Sequence, residues 1–164
     1  MATTVVDLKP KSEPQENLKL EITRVIKASR QRVFDAWTRP ETIRQWFRPD
    51  TFTMVEAGID ARVGGEYRFA MDQPCVNDDG TQAGSGLVTG RYVKVDPYDV
   101  LTFTWNNGRF VGEESLVTIE LRDVAGGTEM KLTHERFLTA DSRDRHYKGW
   151  SSVVPKLVEL FENA

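Results

Sequence analysis

The sequence predicts an α+β domain: a curved antiparallel sheet of about seven strands wrapped around a long C-terminal helix, with two short helices after the first strand. Three observations carry this expectation. Long stretches between Leu18 and Arg136 alternate apolar and polar residues, the pattern of half-buried strands. Short intervals of that alternation are punctuated by Gly64-Gly65, Asp79-Gly80, Pro97-Tyr98-Asp99, Asn107-Gly108 and Gly126-Gly127, which suit the tight turns of an antiparallel meander. The period then changes, placing Trp150, Val153, Val154, Leu157, Leu160 and Phe161 on one helical stripe opposite Lys156, Glu159 and Glu162. An amphipathic helix must cover something, and the apolar face of the sheet is the available partner.

In chain order, residues 1–16 carry two prolines, several charges and no sustained period, and read as a flexible tail before a domain spanning 17–164. Leu18, Leu20, Ile22 and Ile26 alternate with Lys19, Glu21 and Lys27 as a first strand. Ser29 suits the cap of a short helix whose apolar side is Val33, Phe34 and Trp37. Pro40 suits the first turn of a second helix, 40–47, which ends in Trp46-Phe47 and is closed by Pro49-Asp50. Strands follow over 51–57, 66–71, 86–96, 99–106, 114–123 and 128–136. The final helix covers 141–163, and Pro155 inside it is expected to bend it, because proline lacks the backbone donor and crowds the preceding turn.

Composition excludes several classes of function. A chain of 164 residues and 18.7 kDa reads as one domain with room for a sizeable core. Its net charge of -3 and pI near 5.5 lack the basic footprint that nucleic acid demands. No apolar run is long enough to span a membrane, and the lone Cys75 cannot form an internal disulfide, so a cytoplasmic setting is expected. The two histidines, His134 and His146, do not form the close ligand pairs of a zinc site, so neither metal nor cofactor is expected. Gly64-Gly65 and Gly84-Ser85-Gly86 precede no helix that would receive a phosphate, and no nucleophile elbow of the Gly-x-Ser-x-Gly type occurs. Cys75 is given no catalytic role.

Candidate site residues come from strand phase. Met130, Leu132 and His134 share one face of their strand, which turns His134 toward the concave side as a polar anchor or as a satisfied buried histidine. Tyr67 and Phe69 line one strand face, Phe103 and Trp105 another, while Trp46, Phe47 and Trp150 come from helices. Each aromatic alone is most simply a core residue. Together, with four tryptophans in a domain of this size, they argue for a cavity walled by rings. Strand phase does not settle whether Arg24, Arg68 and Arg91 point inward or outward, since bulges shift it. The mixed run Arg143-Asp144-Arg145-His146-Tyr147-Lys148 reads as a solvated helix face.

Seven short pieces in order carry a resemblance. They are Ala28-x4-Val33-Phe34-x2-Trp37, Pro40-Glu41-x4-Trp46-Phe47, Arg62-x-Gly64-Gly65-x-Tyr67-Arg68, Gly86-x-Val88, Leu101-x-Phe103-x-Trp105, Thr128-x-Met130-x-Leu132-x-His134, and Gly149-Trp150 with Leu157. From about Leu18 onward the chain resembles the START-like helix-grip superfamily, and within it the family of activator of heat-shock-protein-90 ATPase homologues. Arg39 stands where many relatives have Asp, and Pro155 is not part of the pattern. The resemblance implies a helix-grip fold with a cavity for an apolar or amphipathic small molecule; strand phase and the helices supply its candidate lining, Trp46, Phe47, Phe69, Phe103, Trp105 and Trp150 as walls with Tyr67 and His134 as polar anchors. Two alternatives stand beside this. One is a cyclase- or hydrolase-type enzyme in which His134 and an acid such as Glu66 act on the bound molecule. The other is a co-chaperone-like interaction module in stress response, with a chaperone partner. A homodimer is compatible with each.

Overall fold

A computed structural model of the chain describes residues 18–49 and 52–162; the tail expected over 1–16 and the helix-closing Asp50 lie outside them. The elements are β1 (Leu20–Ile26), α1 (Arg30–Thr38), α2 (Pro40–Trp46), β2 (Met54–Ile59), β3 (Glu66–Met71), β4 (Cys75–Val76), β5 (Gln82–Gly84), β6 (Leu87–Asp96), β7 (Val100–Asn107), β8 (Ser115–Val124), β9 (Gly127–Glu135) and α3 (Ala140–Glu162). Seven of the strands form one antiparallel sheet in the order β1-β9-β8-β7-β6-β3-β2, and β4-β5 form a separate small hairpin. The sheet and the long α3 make the wrapped architecture that the periodicity predicts and the helix-grip fold that the resemblance implies. The expected strand at 51–57 starts later, at Met54. The β4-β5 hairpin was expected only as the turn at Asp79-Gly80, because its strands are too short to show an alternation.

Local chemistry accounts for the helices. Ser29 Oγ accepts the Arg32 N–H at 3.2 Å and caps α1, whereas Arg39 offers α2 no side-chain cap and Pro40 fills its first turn instead. α3 runs unbroken through Pro155, whose side is exposed. Its buried stripe is longer than the apolar one. Ser142 and His146 precede Trp150 at four-residue intervals, followed by Val153, Val154 and Leu157.

The register aligns the inward residues of five strands into one row. Leu20 pairs with His134, His134 with Val117, Val117 with Phe103, and Phe103 with Tyr92. Irregular register between Tyr92 and Lys94, and between Met54 and Glu56, marks bulges that help curve the sheet around α3. The outer face is polar. Arg24, Arg68 and Arg91 all point outward, with Arg68 paired to Glu56 at 3.1 Å and Arg91 to Glu114 at 3.6 Å. Such exposed pairs contribute little to stability.

One close approach fixes the middle of the sheet. The buried Tyr67 hydroxyl donates to the Thr104 carbonyl oxygen at 2.5 Å, passing over Gly90, its partner in the register. A Cβ at position 90 would stand 2.0 Å from Thr104 O and 2.7 Å from the Tyr67 hydroxyl. Gly90→Ala is therefore expected to lower stability by about 1–3 kcal/mol, as overpacking of a filled core does. Urea denaturation monitored by tryptophan emission checks this; an unchanged midpoint would show that Tyr67 and the Thr104 backbone both yield without cost.

Candidate functional site

α3 reaches the sheet through a chain of hydrogen bonds. Trp150 Nε1–H donates to His134 Nδ1 at 2.9 Å. With Nδ1 accepting, the neutral imidazole carries its proton on Nε2 and donates to Ser115 Oγ at 2.7 Å. Ser115 Oγ in turn donates to the Trp105 carbonyl oxygen at 3.2 Å. A single tautomer satisfies every group. Burial, and the nearby His146 ring at 4.9 Å, hold the His134 pKa well below the usual histidine range. Protonation would also place an N–H on Nδ1 against the Trp150 N–H, setting two donors face to face.

A second buried network pins the start of α3. Glu113, in the loop between β7 and β8, accepts from Ser142 Oγ at 2.6 Å and from the Leu138 N–H at 2.7 Å. His146 Nδ1–H donates to the Ser142 carbonyl oxygen at 2.8 Å, so its Nε2 is the acceptor that meets the Asn107 amide at 3.3 Å. Desolvation lowers the His146 pKa, and the Ser142 bond and Glu113 charge work against that shift. His146 thus corrects the reading of 143–148 as a wholly solvated face: Asp144, Tyr147 and Lys148 are exposed, but His146 turns inward.

Beside these networks lies a cavity of about 340 Å³, at the small end for organic-ligand sites. Its apolar wall includes Phe47, Met71, Val88, Trp105, Trp150 and Val153. Asn107 and His146 add polar atoms, while Asp78, Arg109, Arg145 and Lys148 add charges. The β4-β5 hairpin forms part of the wall, where Arg109 donates to the Val76 carbonyl oxygen at 2.7 Å and to Asn77 Oδ1 at 3.3 Å.

Of the residues singled out in the sequence, Phe47, Trp105 and Trp150 line this cavity. The other aromatics pack in the core next to them. Trp46 is fully buried and donates to the Ala36 carbonyl oxygen at 2.9 Å. Phe69 lies 5.6 Å from Phe47, and Phe103 lies 5.5 Å from Tyr67. His134 sits behind Trp105 and Trp150, with both ring nitrogens engaged. Glu66 is exposed on β3, with β8, β7 and β6 between it and the strand of His134, so these two groups do not converge. Not marked as cavity residues in the sequence were Asn107, which reads as a turn, Arg145, His146 and Lys148, which read as a solvated face, and Arg109. Stepping back by fours from Trp150 would have found His146; Asn107 at the end of β7 and Arg109 in the loop after it had no periodic signal.

The arrangement can enclose an apolar body and offer polar and charged groups around it. Among the described residues, no three His, Cys, Asp or Glu side chains gather to hold a metal ion, and no helix is long and apolar enough to cross a membrane. A sequence profile described as Activator of Hsp90 ATPase homolog 1-like protein matches residues 27–162. The chain belongs to this family, AHSA1. Similar solved structures include protein CV1439 from Chromobacterium violaceum, 24% identical, covering 88% of this chain and 97% of that one with a TM-score of 0.73. The AHSA1 protein from Silicibacter pomeroyi is 23% identical over 89% of this chain and 99% of its own, with a TM-score of 0.70. A Rhizobium leguminosarum protein is 27% identical over 89% and 95%, with a TM-score of 0.69. No curated protein matches the chain.

The buried histidine gives this AHSA1 member a signed pH response. Unfolded histidine titrates near 6.5, whereas the folded state keeps His134 neutral to well below that value. The unfolded state therefore binds the extra proton first, and stability falls as pH drops below the unfolded value. The contribution is flat above it. Urea midpoints between about pH 7.5 and about pH 5 should fall, and fall less in His134→Gln, which keeps a donor and an acceptor but does not titrate. An equal fall in both proteins would assign the effect to other groups.

Proposed function

We propose that this AHSA1-family chain is a small-molecule-binding protein that takes an apolar or amphipathic ligand into the cavity between the sheet and α3. The observation that carries the proposal is the cavity wall itself. Trp105 from the sheet and Trp150 from the helix stand 5.1 Å apart, ring to ring, and Phe47 lies within 5.9 Å of both. Aromatic walls with a few polar groups suit such a ligand. A cytoplasmic setting belongs to the same proposal, on the ground of the lone Cys75.

Catalysis would require an acid and a base facing the ligand. His134 spends both nitrogens inside the core, and His146 at the cavity wall is bonded at Nδ1 to the Ser142 carbonyl oxygen and at Nε2 to the Asn107 amide. Binding without chemistry is therefore the reading favoured here. Membership of the family does not by itself make the Hsp90 ATPase a partner of this chain, since a shared fold does not transmit a partner.

The test uses N-phenylnaphthylamine, an uncharged apolar fluorophore. It should bind saturably to the native protein and quench tryptophan emission. Trp150→Phe, which shrinks the wall, should weaken binding by roughly fivefold, the scale of about 1 kcal/mol. Trp37→Phe should leave the affinity unchanged, since Trp37 is buried against Trp46 at 4.7 Å and does not line the cavity. Failure of the fluorophore to saturate a folded protein would mean a closed core, and would end the ligand-binding reading.

A further inference from the structure

Charge is distributed unevenly between the chain and its cavity. The whole protein carries a net charge of -3, yet among the described lining residues Arg109, Arg145 and Lys148 stand against one carboxylate, that of Asp78. Arg145 is held by Asp141 at 3.2 Å, one turn before it on α3. Among the described residues Arg109 has only neutral oxygens as hydrogen-bond partners, those of Val76 and Asn77. Lys148 is exposed and makes no ion pair among the described residues. Cations gathered at the edge of an apolar cavity favour an anion there over a neutral molecule.

A second feature of the same cavity asks for oxygen independently. Trp105 is 4% exposed and lines the cavity, and its indole Nε1–H has no acceptor among the described residues. Its counterpart Trp150 shows the contrast, because its own N–H is satisfied by His134. A buried donor without a partner costs stability, and a ligand oxygen is one acceptor that would remove that cost.

We propose that the cavity receives an amphipathic organic acid, its apolar body against Trp105 and Trp150, its anionic head at Arg109 and Lys148, and an oxygen accepting from Trp105 Nε1–H. This deepens the ligand-binding reading and rests on it. The body is either an aryl or an alkyl group; the head is the shared chemistry.

Isothermal titration calorimetry of the full chain with matched acids and amides tests this. The aryl arm compares naphthylacetate with naphthylacetamide, and the alkyl arm compares decanoate with decanamide. In at least one arm the acid should bind about tenfold more tightly than its amide, the worth of one charge-assisted hydrogen bond. That advantage should shrink as salt is raised. Lys148→Gln and Arg109→Gln should each reduce it without weakening the amide. Lys148 is exposed, so its variant remains informative even if loss of Arg109 loosens the β4-β5 hairpin. Trp105→Phe should weaken acid and amide alike, since both carry the oxygen. Equal binding of acid and amide in both arms, or an acid advantage that survives both charge variants, overturns the inference and leaves the cavity reading standing. If neither the acids nor N-phenylnaphthylamine bind, both readings fall together.

Discussion

The position of α3 on the sheet depends on one buried hydrogen bond, from the Trp150 indole to His134. Apolar contact alone would let a helix slide along a concave face, because burial is non-directional. A bond between a fully buried imidazole and a donor on the helix sets both depth and rotation. The remaining ring nitrogen continues the constraint through Ser115 to the backbone of β7, so the two cavity-lining tryptophans are coupled through one histidine. The network at Glu113, Ser142 and His146 then fixes the first turns of the same helix. Cavity size follows from where these two networks hold α3, not from the aromatic count.

Much of the architecture was legible because the strands are half-buried. A strand with one wet face writes its alternation into the sequence, as β9 does: Thr128, Met130, Leu132 and His134 are buried while their neighbours are not. That phase turned His134 inward correctly. Its partners were not legible, since Trp150 and Ser115 lie sixteen and nineteen residues away and only the folded register brings them together. The stripe on α3 was read from Trp150 onward because hydropathy registers Val153 and Leu157 but not Ser142 or His146. Those two are buried for their hydrogen bonds rather than for their apolar area.

The cavity edge was the least legible part. Arg109 and the β4-β5 hairpin it holds belong to short irregular segments, where position depends on long-range contacts rather than on local periodicity. Of the eight aromatic and histidine positions marked from the sequence, three line the cavity and the rest form the packed floor around it. Strand phase can tell inward from outward. It cannot tell a wall from a floor, because both look inward, and the difference lies in how far α3 stands off the sheet.

The edge position of β1 has a consequence for biosynthesis. β1 completes the sheet by pairing with β9, Leu20 opposite His134 and Ile26 opposite Thr128. A ribosome releases β1 and the two short helices long before their partner strand exists. The β6-to-β9 meander closes by local hairpins, whereas β1, made well before them, docks after β9 has emerged. Until then Ile22, Ile26, Phe34 and Trp37, all buried in the finished domain, have no core to enter. A nascent chain therefore carries these apolar side chains uncovered until β9 has been synthesised, the condition under which partly made domains are prone to aggregate.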